Sequence, residues 1–185
     1  HMFPEELSTG LCSLKPNVDR LVQSCLMEVD QRNGSVVRYE MHDAVIHSDA
    51  RMTYTEVARI LTDRDPVVSR NYKALVPMFE RMHELFGLLN QRRRQRGSVD
   101  FDLKESEIRF GEDGEIEAIV AAERNVAHRL IEEFMLLANE TVAEYLETHR
   151  VPTLYRIHEA PDPKKVEDFE AFITTLGYSL AAHGR

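Results

Sequence analysis

One segment of the chain concentrates side chains that could act on a ligand. Arg124, His128, Glu132, Met135 and Asn139 recur at intervals of four, four, three and four. On a helix that spacing sets them in one line. Beside it, Ala127, Leu130, Ile131, Phe134, Ala138 and Val142 form an apolar line, the kind of face that packs inward. The polar line has two readings. It is a solvated face, with His128 and Glu132 as an i,i+4 pair contributing about 0.2–0.5 kcal/mol. Or it lines a polar cavity, where the Glu132 carboxylate accepts a hydrogen bond from a ligand hydroxyl. His128 and Glu132 also have metal-ligand spacing, but a third ligand of obvious type is missing, so no metal is expected there. The basic run is Arg92, Arg93, Arg94 and Arg96. At the C-terminal end of a helix these cations complement the helix dipole. At a channel mouth they would contact phosphate.

Those side chains need elements to carry them. Residues 4–20 lack a clear period and read as an extended lead-in with turns. Leu21, Cys25, Met27 and Val29 share one face of an alternating run, as do Val37, Tyr39, Met41 and Val45. Asn33-Gly34 lies between the runs, so residues 21–47 are expected to form a half-buried antiparallel hairpin. Residues 53–61 switch to helical spacing, with Thr53 and Glu56 in capping-box positions. Residues 63–66 break that helix. Residues 67–96 are helical, with Leu75, Met78, Phe79, Met82, Leu85, Phe86 and Leu89 in step. Pro77 should kink or restart them. Short strands are expected at residues 99–103, 107–110 and 115–120, with a turn at 111–114. A second long helix covers residues 122–148. A short buried strand is expected at 154–157 and a last helix at 164–176. The fold class is α+β, with short antiparallel strands and hairpins packed on two long helices.

Composition bounds the function. The chain has 185 residues, 43% hydrophobic and 30% charged, enough for one domain or a large piece of one. Its net charge of −9 argues against a nucleic-acid binder, because neutralising phosphates normally takes a basic face. No run approaches the roughly 18 apolar residues of a membrane span, so no membrane partner is expected. No signal peptide opens the chain, and His1-Met2 reads as a cloning remnant. Cys12 and Cys25 are the two cysteines; such sparse usage suits a reducing compartment. Phosphate-binding loops, dinucleotide fingerprints, nucleophile elbows and clustered zinc ligands are absent from the sequence. Asp100 and Asp102 alone do not make a two-metal centre.

Two segments carry a resemblance. Residues 4–14 read PEELSTGLCSL and residues 124–139 read RNVAHRLIEEFMLLAN. Together they resemble the RNB catalytic domain of the ribonuclease R and ribonuclease II exoribonucleases. The likeness runs from about Pro4 to Leu176. RIHEAP at residues 156–161 is closer to the ribonuclease R branch. Three side chains inherit roles from it. Glu132, the first glutamate of the IEE triplet, matches the carboxylate at the RNA 3′-terminal ribose. Tyr54 closes ARMTY, similar to the family's ARLTY, whose tyrosine approaches the same nucleotide. Phe101 closes GSVDF, similar to a segment ending in a base-stacking phenylalanine. Residue types alone would make Tyr54 a half-buried aromatic at a strand-to-helix junction and Phe101 a core strand residue.

The resemblance implies a parent that is a cytoplasmic, processive, hydrolytic 3′→5′ exoribonuclease using magnesium on single-stranded RNA. It also implies omissions. The family's aspartate cluster is expected upstream of Pro4 and its arginine motif downstream of Gly177. Residues 3–185 then form the central part of the RNB domain, without catalytic residues or metal of their own. Such a piece should be inactive and bind RNA weakly or not at all, and its exposed strand edges could drive homo-oligomers. A catalytically dead RNB-like RNA-binding or regulatory module and a helical protein-interaction adaptor are the competing readings.

Overall fold

The computed structural model describes residues 2–99, 106–111, 113–121 and 124–180. It divides into two units, His1–His149 and Arg150–Arg185.

The first unit opens on a wide helical turn, Glu6–Leu11, closed by the Cys12 amide on the Leu7 carbonyl at 2.9 Å. This replaces the extended lead-in expected there. β1 (Asp19–Val29) and β2 (Val36–His47) then pair antiparallel, from Asp19 opposite His47 to Val29 opposite Val36. Their link is longer than a two-residue Asn-Gly turn. The Asp30 amide donates to the Ser35 carbonyl at 2.9 Å, and Gly34 alone carries the positive φ, 70°. Cys25 faces Met41 and Met27 faces Tyr39, all half-buried. The same face ends in Leu21 opposite Val45, and both are exposed, at 87% and 61%. Val37 leaves the expected face as well. Glu28 pairs Arg38 and Val29 pairs Val36, so a bulge strands Val37 between them.

The helices form the core. α1 (Tyr54–Ala58) starts at the Thr53–Glu56 capping box and runs into a wide turn, Arg59–Asp63. Arg64 ends it at φ 50°. Asp65 caps α2 (Pro66–Asn71), accepting from the Val67 and Val68 amides. The long helix expected over residues 67–96 is therefore two. A turn at 72–75 separates α2 from α3 (Val76–Gln95), which restarts with Pro77 in its first turn, where a missing N–H costs nothing. Ile60, Val68 and Phe79 are buried together, with Val57, Tyr72 and Met82 packed around them. α4 (Val126–Thr148) lies against α3. Phe86 and Leu89 of α3 and Ala127 and Leu130 of α4 are buried. Tyr39 of β2 meets Tyr145 of α4 edge-on at 6.2 Å.

β3 (Ser106–Phe110) and β4 (Ile116–Ala121) make a second antiparallel hairpin, close to the strands expected. The strand expected at 99–103 lies largely outside the described residues. In the second unit, residues 154–157 are not a buried strand. They form no regular element, and Leu154 is fully exposed. No strand runs beside them to take up a ladder among the described residues. α5 (Pro163–Thr174) follows, capped by Asp162.

Candidate functional site

α4 begins four residues later than its apolar pattern suggests, because Asn125 caps it. The Asn125 side-chain oxygen accepts from the Ala127 and His128 amides at 3.0 and 3.4 Å. His128 returns the contact, its Nδ1 accepting the Asn125 amide at 3.3 Å. This reciprocal cap fixes the His128 ring at the start of the polar line.

Tyr54 lies on that ring. The two stack with centroids 3.9 Å apart and planes 23° from parallel. The Tyr54 backbone is braced by the capping box directly before it. The Thr53 hydroxyl and amide both donate to Glu56 Oε2, at 2.8 and 3.2 Å, and the Tyr72 hydroxyl donates to Glu56 Oε1 at 2.9 Å. The Thr53 and Tyr72 hydroxyls hold the Glu56 carboxyl below the usual carboxylate range, and Glu56 pushes the Tyr72 phenol up. Beneath Tyr54 is a mainly apolar cavity of about 120 Å³ lined by Met52, Val57, Phe79, Leu130 and Ile131. Tyr54 itself remains 45% exposed.

Glu132 lies one helical turn beyond His128 on the same line. Its Oε2 accepts Arg124 Nη2 at 2.7 Å, and its Oε1 lies 4.0 Å from Arg93 Nη2. About a third of its side chain stays exposed. A carboxylate offers about four acceptor sites, so the Arg124 bond leaves capacity for a ligand hydroxyl. The structure thus brings Tyr54 and Glu132 to one face through His128. Phe101 lies outside the described residues, as do Asp100 and Asp102.

The basic run divides by partner. Arg92 Nη1 donates to the Gly34 carbonyl at 2.9 Å, tying α3 to the β1–β2 turn. Arg96 pairs with Glu140 at 2.9 Å, which raises the arginine's pKa. Arg94 is exposed. Arg93 is nearly buried and donates from Nε to Glu133 Oε1 at 2.7 Å and from Nη1 to Ser98 Oγ at 3.0 Å. Glu133 is only 4% exposed and also accepts from Asn90 Nδ2 at 2.9 Å. Sequence reasoning passed over Glu133, Asn90 and Ser98. The signal was there: Glu133 follows Leu130 by three and precedes Leu137 by four, inside the apolar stripe.

Among the described residues no group of three or more His, Cys, Asp or Glu side chains could hold a metal ion. These residues therefore do not fit the divalent ion that the resemblance implies for the parent.

The fold is mixed, with paired antiparallel strands and a capped helix bearing the HRLIEE line, and residues 1–183 match the family model of the RNB domain. The chain belongs to the RNB domain family. Within it the chain is similar to ribonuclease R. It is 44% identical over 180 residues to ribonuclease R of Aquifex aeolicus, covering 97% of this chain and 25% of that one. For ribonuclease R of Escherichia coli K12 the identity is 40% over 179 residues, covering 97% and 22%. Among solved structures it resembles Mycoplasma genitalium RNase R in complex with ribose-methylated single-stranded RNA. The TM-score is 0.80 at 31% identity, over 95% of this chain and 27% of that one. The same enzyme in complex with double-stranded RNA gives a TM-score of 0.81. The chain spans about a quarter of the length of these relatives.

Proposed function

We propose that this chain contributes part of the RNA 3′-end pocket of a processive, hydrolytic 3′→5′ exoribonuclease. The observation that carries this reading is the stack of Tyr54 on His128, one helical turn before a part-exposed Glu132, in a chain of the RNB family. Tyr54 and Glu132 meet the terminal ribose. The phenol donates to or accepts from a sugar hydroxyl, and the carboxylate accepts from one. Phe101 stacks on bases, a contact that tolerates any sequence. Arg94 is the member of the basic run assigned to phosphate in this reading, because it is exposed and Arg92, Arg93 and Arg96 hold protein partners. In the parent, a magnesium ion held by other residues would activate the attacking water, and the parent would work in the cytoplasm.

The 2′-hydroxyl distinguishes RNA from DNA. A pocket built around it penalises a deoxyribose end by about 1–3 kcal/mol per polar group left unpaired, more for a charged one. Glu132→Ala and Tyr54→Ala in the intact parent should lower the preference for RNA over a chimera with one 3′-terminal 2′-deoxy sugar. The ratio of cleavage rates falls about tenfold per 1.4 kcal/mol. An unchanged ratio with activity intact returns both residues to structural roles. The isolated chain should not shorten labelled RNA in magnesium, because its described residues offer no metal-holding cluster, and it should bind RNA no tighter than micromolar, because a net charge of −9 opposes a polyanion. Shortening that survives further purification would place chemistry within these residues.

A further inference from the structure

Among the described residues, the Arg93 guanidinium faces three different groups with its three nitrogens. Nε donates to buried Glu133 at 2.7 Å, Nη1 to Ser98 Oγ at 3.0 Å, and Nη2 faces Glu132 at 4.0 Å. Two of those groups are consecutive residues of α4, the helix that presents Glu132. The third lies past the end of α3, three residues before Phe101. The Arg93 side chain is 13% exposed and that of Glu133 4%, so the bond between them forms largely out of water, where hydrogen bonds to charged groups are strong. On one side of Glu132 stands Arg124 at 2.7 Å, and on the other Arg93.

We propose that Arg93 is a positioning residue that ties the Glu132 carboxylate to Ser98, just past the end of α3. The proposal rests on the RNA-end reading above and adds that sugar recognition depends on how Arg93 is held. The planar fork is essential. A lysine at this place is a point charge on a flexible stem. It can satisfy Glu133, but it cannot hold Ser98 and flank Glu132 at the same time.

The test uses the full-length parent and kcat/KM for two substrates, RNA and the chimera with one 3′-terminal 2′-deoxy sugar. Arg93→Lys should reduce the RNA-to-chimera ratio by about fivefold, the factor given by one ordinary hydrogen bond. Ser98→Ala, which leaves the Glu133 pair in place, should shift the ratio in the same direction by less. Adding it to Arg93→Lys should give no further shift, the non-additivity expected of groups acting through each other. A merely structural role would scale both substrates equally and leave the ratio unmoved. If Arg93→Lys does not fold, Ser98→Ala decides: a reduced ratio supports the coupling and an unchanged one overturns it. An unchanged ratio in folded Arg93→Lys, alongside a lowered ratio in Glu132→Ala, overturns the coupling and leaves the pocket standing. Unchanged ratios in Glu132→Ala and Arg93→Lys overturn the pocket, and the coupling with it.

Discussion

The seam between α3 and α4 and the outer half of the β1–β2 hairpin are equally regular and opposite in burial. Along the seam, Phe86, Leu89, Ala127 and Leu130 are buried, and so are the polar Asn90 and Glu133. Along the hairpin, an unbroken ladder runs from Asp19–His47 to Glu28–Arg38. Yet Leu21, Leu26 and Val45 are left exposed. A ladder satisfies its own backbone groups and needs no cover to do so. Helices that share a core gain mostly from side chains removed from water. Backbone order therefore does not require side-chain burial: the seam has both, and the outer hairpin has the first without the second.

The largest effect should come from cutting the polar part of the seam. Glu133→Ala leaves Arg93 nearly buried without its closest carboxylate, and Asn90 without its acceptor. The expected loss is about 3–5 kcal/mol, read from the urea midpoint at constant slope. Leu130→Ala, at the apolar centre of the same seam, should cost about 3 kcal/mol through the cavity it leaves. If Glu133→Ala proves nearly neutral, the seam is held by apolar contact alone and its polar part is incidental.

The caps come next. Thr53→Ala should cost about 1 kcal/mol. The carboxyls at two caps also predict an acid limb. Glu56 is held low by the Thr53 and Tyr72 hydroxyls, and Asp65 by the Val68 amide, Arg59 and the Val67 amide. A carboxyl whose pKa is lower folded than unfolded stabilises above the unfolded value of about 4 and stops doing so as pH falls through the folded value. The melting temperature should therefore drop below about pH 4. Asp65→Asn keeps the capping oxygen but not its ionisation, so its acid limb should be shallower. A limb of unchanged steepness would remove Asp65 from the account.

The smallest effect belongs to the hairpin. Leu21→Ser should change stability by no more than about 0.5 kcal/mol, as for an open surface site. A loss above about 1 kcal/mol, growing with protein concentration, would show a second copy covering that face and would erase the contrast.

Local signals were legible where one short stretch decides the outcome. Thr53 with Glu56 marked a helix start, Pro77 a restart and Asn33-Gly34 a reversal, and each is there. The line joining His128 to Glu132 was legible for the same reason. What escaped depends on a partner far along the chain. Arg93 and Glu133 are 40 residues apart, and each taken alone looks like part of a solvated charge run. Continuing the stripes would have paired them. Phe79, Phe86, Leu89 and Asn90 lead to Arg93 on α3, and Ala127 and Leu130 lead to Glu133 on α4. Opposite charges thus stand at matching points of two facing stripes. The 154–157 strand failed differently, because a short apolar run makes a strand only when a neighbour supplies the ladder.

The turn at Gly34 has a mechanical side. Gly34 is buried, and a Cβ there would lie 3.4 Å from the Leu89 side chain. Its carbonyl is bonded to Arg92. The hairpin is therefore a beam clamped at its tip. From that clamp β1 extends back to Asp19, roughly 30 Å away at about 3.4 Å per residue. Farther along, Tyr39 is held against Tyr145 of α4, so tip and middle are both fixed. A change at Gly34 or Arg92 should therefore loosen the stretch between the two holds, around Val29 and Val36, before the rest of the strands.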